Sequence, residues 1–236
     1  MKKFLPWVAA IALILAGGTL WLVSRDNRSG NGDQQIKSPH FVDSTPLHGE
    51  TYAAQPVNVT INFNFDIADN SEIKVNGGGR EWTAAPTKVE DAQTALKADL
   101  KPGMPDGEYI VEYRACWPDK SCHDGQFSFR IDSSDRTGYR DLRGKKEVTI
   151  RMASIAFSDP KILVSTGTEV TWVNDDEAGH FVNTETHPEH TYFPGQNSRE
   201  IPKGGEFKTT FNTLGQYSYH CSAHYPGMVA SLIVSE

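Results

Sequence analysis

The chain has 236 residues, enough for one or two domains that each bury an apolar core. Its 23 Lys+Arg against 30 Asp+Glu leave a formal net charge of −7, so there is no cationic excess to neutralise phosphates, and nucleic acid is excluded as a partner. With 38% apolar residues, 20 Gly and 13 Pro, the chain is neither collagen-like, nor disordered throughout, nor a multi-span membrane protein.

At the N-terminus, Lys2 and Lys3 precede an uncharged apolar run from Phe4 to Val23. That run is about 20 residues, or about 30 Å as a helix, which matches a bilayer core. Ala16, Gly17 and Gly18 offer small residues for cleavage, but the run continues through Leu20, Trp21, Leu22 and Val23, unlike the polar start of a mature chain. We therefore expect an uncleaved signal anchor, a transmembrane helix over residues 1–23. The two lysines hold the N-terminus in the cytoplasm and put the rest on the extracytoplasmic side, periplasmic or cell-surface; Arg25 and Arg28 weaken the asymmetry. Residues 24–38, rich in Ser, Asn, Gly and Asp, read as a flexible linker.

Beyond the linker come short alternating runs, among them VNVTINFNF, QFSFRI, EVTIRM, EVTWVN, YSYHC and VASLIV, each bounded by Gly, Pro, Asn or Asp. They predict an all-β architecture of two antiparallel β-sandwiches, residues 39–132 and 146–236, divided by a polar linker at 133–145. The segment TKVEDAQTALKADL comes nearest to an amphipathic helix and reads equally well as a loop and a strand. Cys116 and Cys122 lie close in sequence and read as a disulfide worth about 2–3 kcal/mol in an oxidising compartment, with a free thiol pair or a metal pair as the alternative. Cys221 stands alone and needs another role.

That role is visible in YSYHCSAHYPGMVASLIV, where Cys221, His224 and Met228 share one loop between two strands. A thiolate, an imidazole and a thioether form the donor set that copper prefers, since the sulfurs stabilise Cu(I) and imidazole serves both oxidation states. A fourth ligand is available in His180, just beyond the Trp-containing strand and next to Gly179. The order FSDPKILVSTGTEVTWVNDD, His180, then GGEFKTTFNTLGQYSYHC resembles the plastocyanin-type cupredoxins, the blue (type 1) copper family. The resemblance covers about Glu147 to Glu236 and implies a Greek-key sandwich with one copper. In it His180 and His224 are the imidazole ligands, Cys221 the short thiolate ligand and Met228 the long axial ligand.

Three further histidines belong to this half. His220 adjoins Cys221, and strand alternation turns it to the opposite face. A histidine in that position leads to another copper in multicopper oxidases and copper nitrite reductases, but no His-x-His pair accompanies it here. We read His220 as a solvated strand residue, and His187 and His190 of THPEH as solvated loop residues, with a surface metal as the alternative for that pair. A dinuclear copper centre is excluded because it needs a second cysteine in the loop.

The first sandwich carries Ser44, Pro46, Gly49, Pro56 and Val59 after a His-containing start, and closes on a His, Gly and Phe-x-Phe pattern. It resembles the CopC copper resistance family, which implies an Ig-like seven-stranded sandwich. That family's Cu(II) site uses an N-terminal His with its free amine plus an Asp and a His near the end. Here the upstream anchor removes the free amine, and Ser121-Cys122-His123 replaces the Asp-x-His order. His40, His48 and His123 are the candidates for a second metal, with a purely structural sandwich as the alternative. Met104 is the only methionine in this half, so no methionine cluster for Cu(I) is present.

Together these readings predict a membrane-anchored copper protein with one type 1 copper that transfers single electrons between redox partner proteins or a membrane electron-transfer complex. The alternative is a copper-handling protein for resistance, buffering or delivery to an oxidase. No open substrate position is apparent, so an enzyme is not expected.

Overall fold

The computed structural model describes residues 41–90 and 93–236. The expected anchor (1–23), the linker (24–38) and His40 lie outside the described residues. Among the described residues no helix is long and apolar enough to cross a membrane.

Nine strands build the first sandwich: β1 (Phe41–Thr45), β2 (Thr51–Tyr52), β3 (Asn58–Phe63), β4 (Glu72–Gly77), β5 (Arg80–Glu81), β6 (Lys88–Val89), β7 (Ala95–Asp99), β8 (Gly107–Cys116) and β9 (Cys122–Ile131). They form two facing sheets in the orders β1-β3-β7-β6 and β2-β9-β8-β4-β5. The count exceeds the implied seven because three of the pairings are only two residues long. The helix-like segment TKVEDAQTALKADL forms the antiparallel β6 and β7 pair. Burial explains why: Ala95, Leu96 and Ala98 are fully buried in the sandwich, and packing overrides helix propensity. Val59, Ile61, Ile73, Val75, Leu96, Val111 and Phe129 fill the core, and the Cys116–Cys122 disulfide closes the β8–β9 hairpin.

The second sandwich has β10 (Arg140–Asp141), β11 (Glu147–Ala153), β12 (Ala156–Phe157), β13 (Lys161–Ser165), β14 (Thr168–Asn174), β15 (Asn183–Thr184), β16 (Glu206–Phe211), β17 (Gly215–His220) and β18 (Val229–Ser235). Its sheets run β10-β13-β18-β17-β15 and β12-β11-β14-β16. Alternation along β11 and β14 sends Val148, Ile150, Met152, Val170 and Trp172 inward, where Trp172 meets Tyr219 and Phe211 edge-on. The segment expected as a linker contributes here: Arg140 and Asp141 pair with β13, and Leu142 is buried in the second core.

The described residues pack as one unit, and polar groups hydrogen-bond across the junction of the two sandwiches. On β3 the apolar face enters the first core, yet its polar face, Asn58, Thr60 and Asn62, is equally buried. Each of the three is hydrogen-bonded, as buried polar groups must be. Asn58 Nδ2 donates to the Tyr192 carbonyl at 2.9 Å, Thr60 Oγ1 donates to Asn58 Oδ1 at 2.8 Å, and Asn62 Nδ2 donates to Asp43 and Thr186. Tyr192 joins both sandwiches through its hydroxyl, which accepts the Val57 N–H at 2.8 Å and donates to the Gln216 carbonyl at 2.9 Å. The Gln216 N–H donates to the Gln55 carbonyl, and its side chain accepts the Ala53 N–H.

Gly215 permits this closeness: it sits at φ +142°, and a Cβ there would stand 2.9 Å from the Gln55 carbonyl. Gly215→Ala is therefore expected to cost about 1–3 kcal/mol, through strain and the displaced Gln55 backbone. Urea denaturation checks this, and an unchanged midpoint would show that the junction yields without cost.

Candidate metal centres

Cys221 follows the last residue of β17 and opens a single turn of 3-10 helix, Ser222–His224. Backbone hydrogen bonds cinch the loop: Cys221 N–H donates to the Met228 carbonyl, and the N–H groups of His224 and Met228 donate to the carbonyls of Cys221 and His224. The segment after β14 brings His180 to the same place. Asn174 Nδ2 donates to the carbonyls of Ala178 and Ile201, and His180 exchanges backbone hydrogen bonds with Ile201. At Gly179 the nearest atoms that a Cβ would meet belong to the flexible Glu200 side chain.

The result is a convergence of donors. Cys221 Sγ lies 3.6 Å from His180 Nδ1 and 3.3 Å from His224 Nδ1, and the three atoms fall within 4.8 Å of one another. With metal–sulfur near about 2.3 Å and metal–nitrogen near about 2.0–2.1 Å, those separations are what one ion bridges. His180 and Cys221 are fully buried, Met228 closes the loop within the same core, and His224 is half-buried. His180 Nε2 lies 2.9 Å from Asp176 Oδ2. The Ile155 N–H, then His180 and the Ser154 N–H, hold the Asp176 carboxyl down to about 2. Donation of the His180 Nε2 proton to this carboxylate leaves Nδ1 free to face the sulfur, and an outer carboxylate of this kind orients a metal-binding imidazole. The Phe181 N–H donates to Cys221 Sγ at 3.3 Å, delocalising charge from the thiolate. The thiolate and the two imidazoles are therefore brought together, with Met228 buried in the same core, and a donor set of this kind fits copper.

Among the described residues, His48 and His123 join no cluster of three or more metal-ligating side chains. His48 Nδ1 accepts the Ser128 N–H at 3.2 Å, and His123 packs edge-on against Trp117. His40 lies outside the described residues.

A second cluster appears instead where solvated side chains were expected. His220 is fully buried, and with His187 and His190 it places three ring nitrogens within 4.8 Å of one another. The expectation fails because the polar face of β17, Gln216, Ser218 and His220, is covered by residues 185–193 and by the first sandwich. Tyr192, Thr191 and Thr186 pin that loop to Val57, Asn58 and Asn62. The sequence did contain one signal, since His220 adjoins Cys221 and THPEH stands about thirty residues earlier; no local pattern showed that the two meet.

Residues 41–132 match the CopC domain family, and residues 144–235 match the copper binding proteins of the plastocyanin/azurin family. Among solved structures the chain is similar to CopC from Methylosinus trichosporium OB3b, at 24% identity and TM-score 0.37, over 40% of this chain and 93% of that one. It is also similar to a mutant of amicyanin in its Cu(I) form, at 25% identity and TM-score 0.34, over 39% of this chain and 85% of that one. PcoC, a methionine-rich copper resistance protein from Escherichia coli, matches at 21% identity and TM-score 0.36, over 40% of this chain and 98% of that one.

Proposed function

Because the chain joins a CopC domain to a plastocyanin/azurin-family domain and is thereby a copper-binding protein, we propose that it carries one type 1 copper and transfers single electrons. The supporting observation is the convergence of His180 Nδ1, Cys221 Sγ and His224 Nδ1 in a buried pocket closed by Met228. Copper would supply a one-electron couple there, and the protein supplies a fixed shell. β17 and its pairing with β18 hold Cys221, the His180–Ile201 bridge holds His180, and the cinched loop holds His224 and Met228. A donor set that cannot rearrange keeps reorganisation small when an electron enters or leaves.

His224 is the ligand nearest solvent, and exposed Ala223, Tyr225, Pro226 and Gly227 surround it. That apolar rim suits brief docking of a redox partner. We assign this centre to electron transfer and not to catalysis, a reading that the burial of His180, Cys221 and Met228 supports. The Cys116–Cys122 disulfide supports an oxidising, extracytoplasmic location, and the N-terminal apolar run supports a membrane anchor.

Visible absorption and EPR with copper stoichiometry test the reading. An intense thiolate band with narrow hyperfine splitting is expected, and its absence would overturn the type 1 assignment. Met228→Leu is expected to keep that band and shift the potential, which the axial ligand of such a site tunes. A shift of at least about 59 mV would mean a tenfold change in relative affinity for the two states; an unmoved potential would take Met228 out of the ligand set.

Copper handling is the second reading, favoured by the CopC match. Met104 weighs against Cu(I) capture in that domain, since it is the domain's sole methionine and packs in the first core.

A further inference from the structure

We propose that His187, His190 and His220 form a second metal site, for a divalent transition-metal ion that imidazole prefers, with copper(II) the tightest. Four observations carry it. The first is ligand geometry: His220 Nε2 lies 3.2 Å from His187 Nδ1 and 3.1 Å from His190 Nε2. Nitrogens bound at about 2.0–2.1 Å around a tetrahedral ion stand about 3.3–3.4 Å apart, so these two separations lie within a few tenths of an ångström of that value, and the third pair, His187 and His190, stays within 4.8 Å.

The second is an outer ligand. His220 Nδ1 lies 3.1 Å from Glu185 Oε1, so its proton is donated to the carboxylate and Nε2 is left bare, facing the other two rings. This is the carboxylate–histidine arrangement that fixes the tautomer of a metal-binding imidazole. Ser222 Oγ lies 3.0 Å from His190 Nε2 and 3.4 Å from His220 Nε2, and with one proton to donate it can satisfy only one of the two as a donor.

The third is donor chemistry, because three imidazoles without sulfur suit zinc, copper, iron or nickel, and copper(II) stands highest in that series. The fourth is an entry path. Glu185, His187 and Tyr225 line a cleft of about 960 Å³ between the sandwiches, so the cluster is approached from solvent at His187.

The first sandwich thus acts as a positioning body for this site, since its β3 side chains Asn58 and Asn62 hold the loop that carries His187 and His190. The site itself does not rest on the type 1 reading, and the test separates them. Metal-free protein is titrated with Cu(II), and bound copper and EPR are followed in the wild type, Cys221→Ser and His187→Ala/His190→Ala. Two equivalents are expected in the wild type, one with narrow and one with ordinary wide hyperfine splitting.

Cys221→Ser should keep the wide-split copper alone, with a three-nitrogen signature. The double variant should keep only the narrow-split copper, whose survival shows that the second sandwich is still folded. Glu185→Gln should weaken the wide-split site about 10–100-fold. Binding of a single, narrow-split copper by the wild type would overturn the proposal, as would a wide-split copper that survives the double variant. A wide-split copper that the double variant removes, in a protein with no thiolate band at all, would uphold this site and overturn the type 1 reading.

Discussion

Cys221→Ser is expected to abolish the intense visible band of the copper-loaded protein outright. The band needs a thiolate, and Cys221 is the only free cysteine among the described residues. A serine hydroxyl fits the same space and can still accept the Phe181 N–H that now meets the sulfur, so circular dichroism should report an intact fold. Absorption spectra before and after substitution make the check. A band that persists would show that the colour arises elsewhere and that the four donors are wrongly assigned.

Tyr192→Ala is expected to give the largest loss of stability, about 3–5 kcal/mol, the range for removing a large buried aromatic side chain. Tyr192 is fully buried, and its hydroxyl links backbone groups of both sandwiches. Tyr192→Phe keeps the ring and removes only that link, which should cost about 1–3 kcal/mol by leaving the Val57 N–H and one acceptor of Gln216 unpaired. Urea titration measures both. The spectra of the same variants carry a further expectation: the wide-split copper should weaken while the narrow-split copper remains, because Tyr192 anchors the loop of His187 and His190 and not the loop of His224. A change below about 1 kcal/mol in Tyr192→Ala would mean that other contacts hold the junction.

The convergence of His180, Cys221 and His224 was legible because two of them share one short loop and the third follows a recognisable strand. The strands were legible through alternation, as in Glu147–Ala153, where burial switches residue by residue. Alternation names two faces, however, and does not say what covers them. Along NVTINF and GQYSYH the polar faces look solvated, but the 185–193 loop covers both in the fold, so both faces of β3 and β17 are largely buried. The contacts responsible join residues more than 120 positions apart, such as Asn62 with Thr186 and Val57 with Tyr192, and no local period encodes them. The His187, His190 and His220 cluster was illegible for that reason, and so was the role of the first sandwich as its support.

His220 and Cys221 are consecutive, and that adjacency makes strand register a shared point of failure. β17 is held against β18 by pairings from Gly215 opposite Val234 to His220 opposite Val229. A slip of one residue reverses inside and outside along a strand, so it would turn His220 and Cys221 each to the wrong face and undo both donor sets in one movement. Insertion or deletion of a single residue within Gly215–His220 should therefore be far less tolerated than the same change in the polar turn that precedes it.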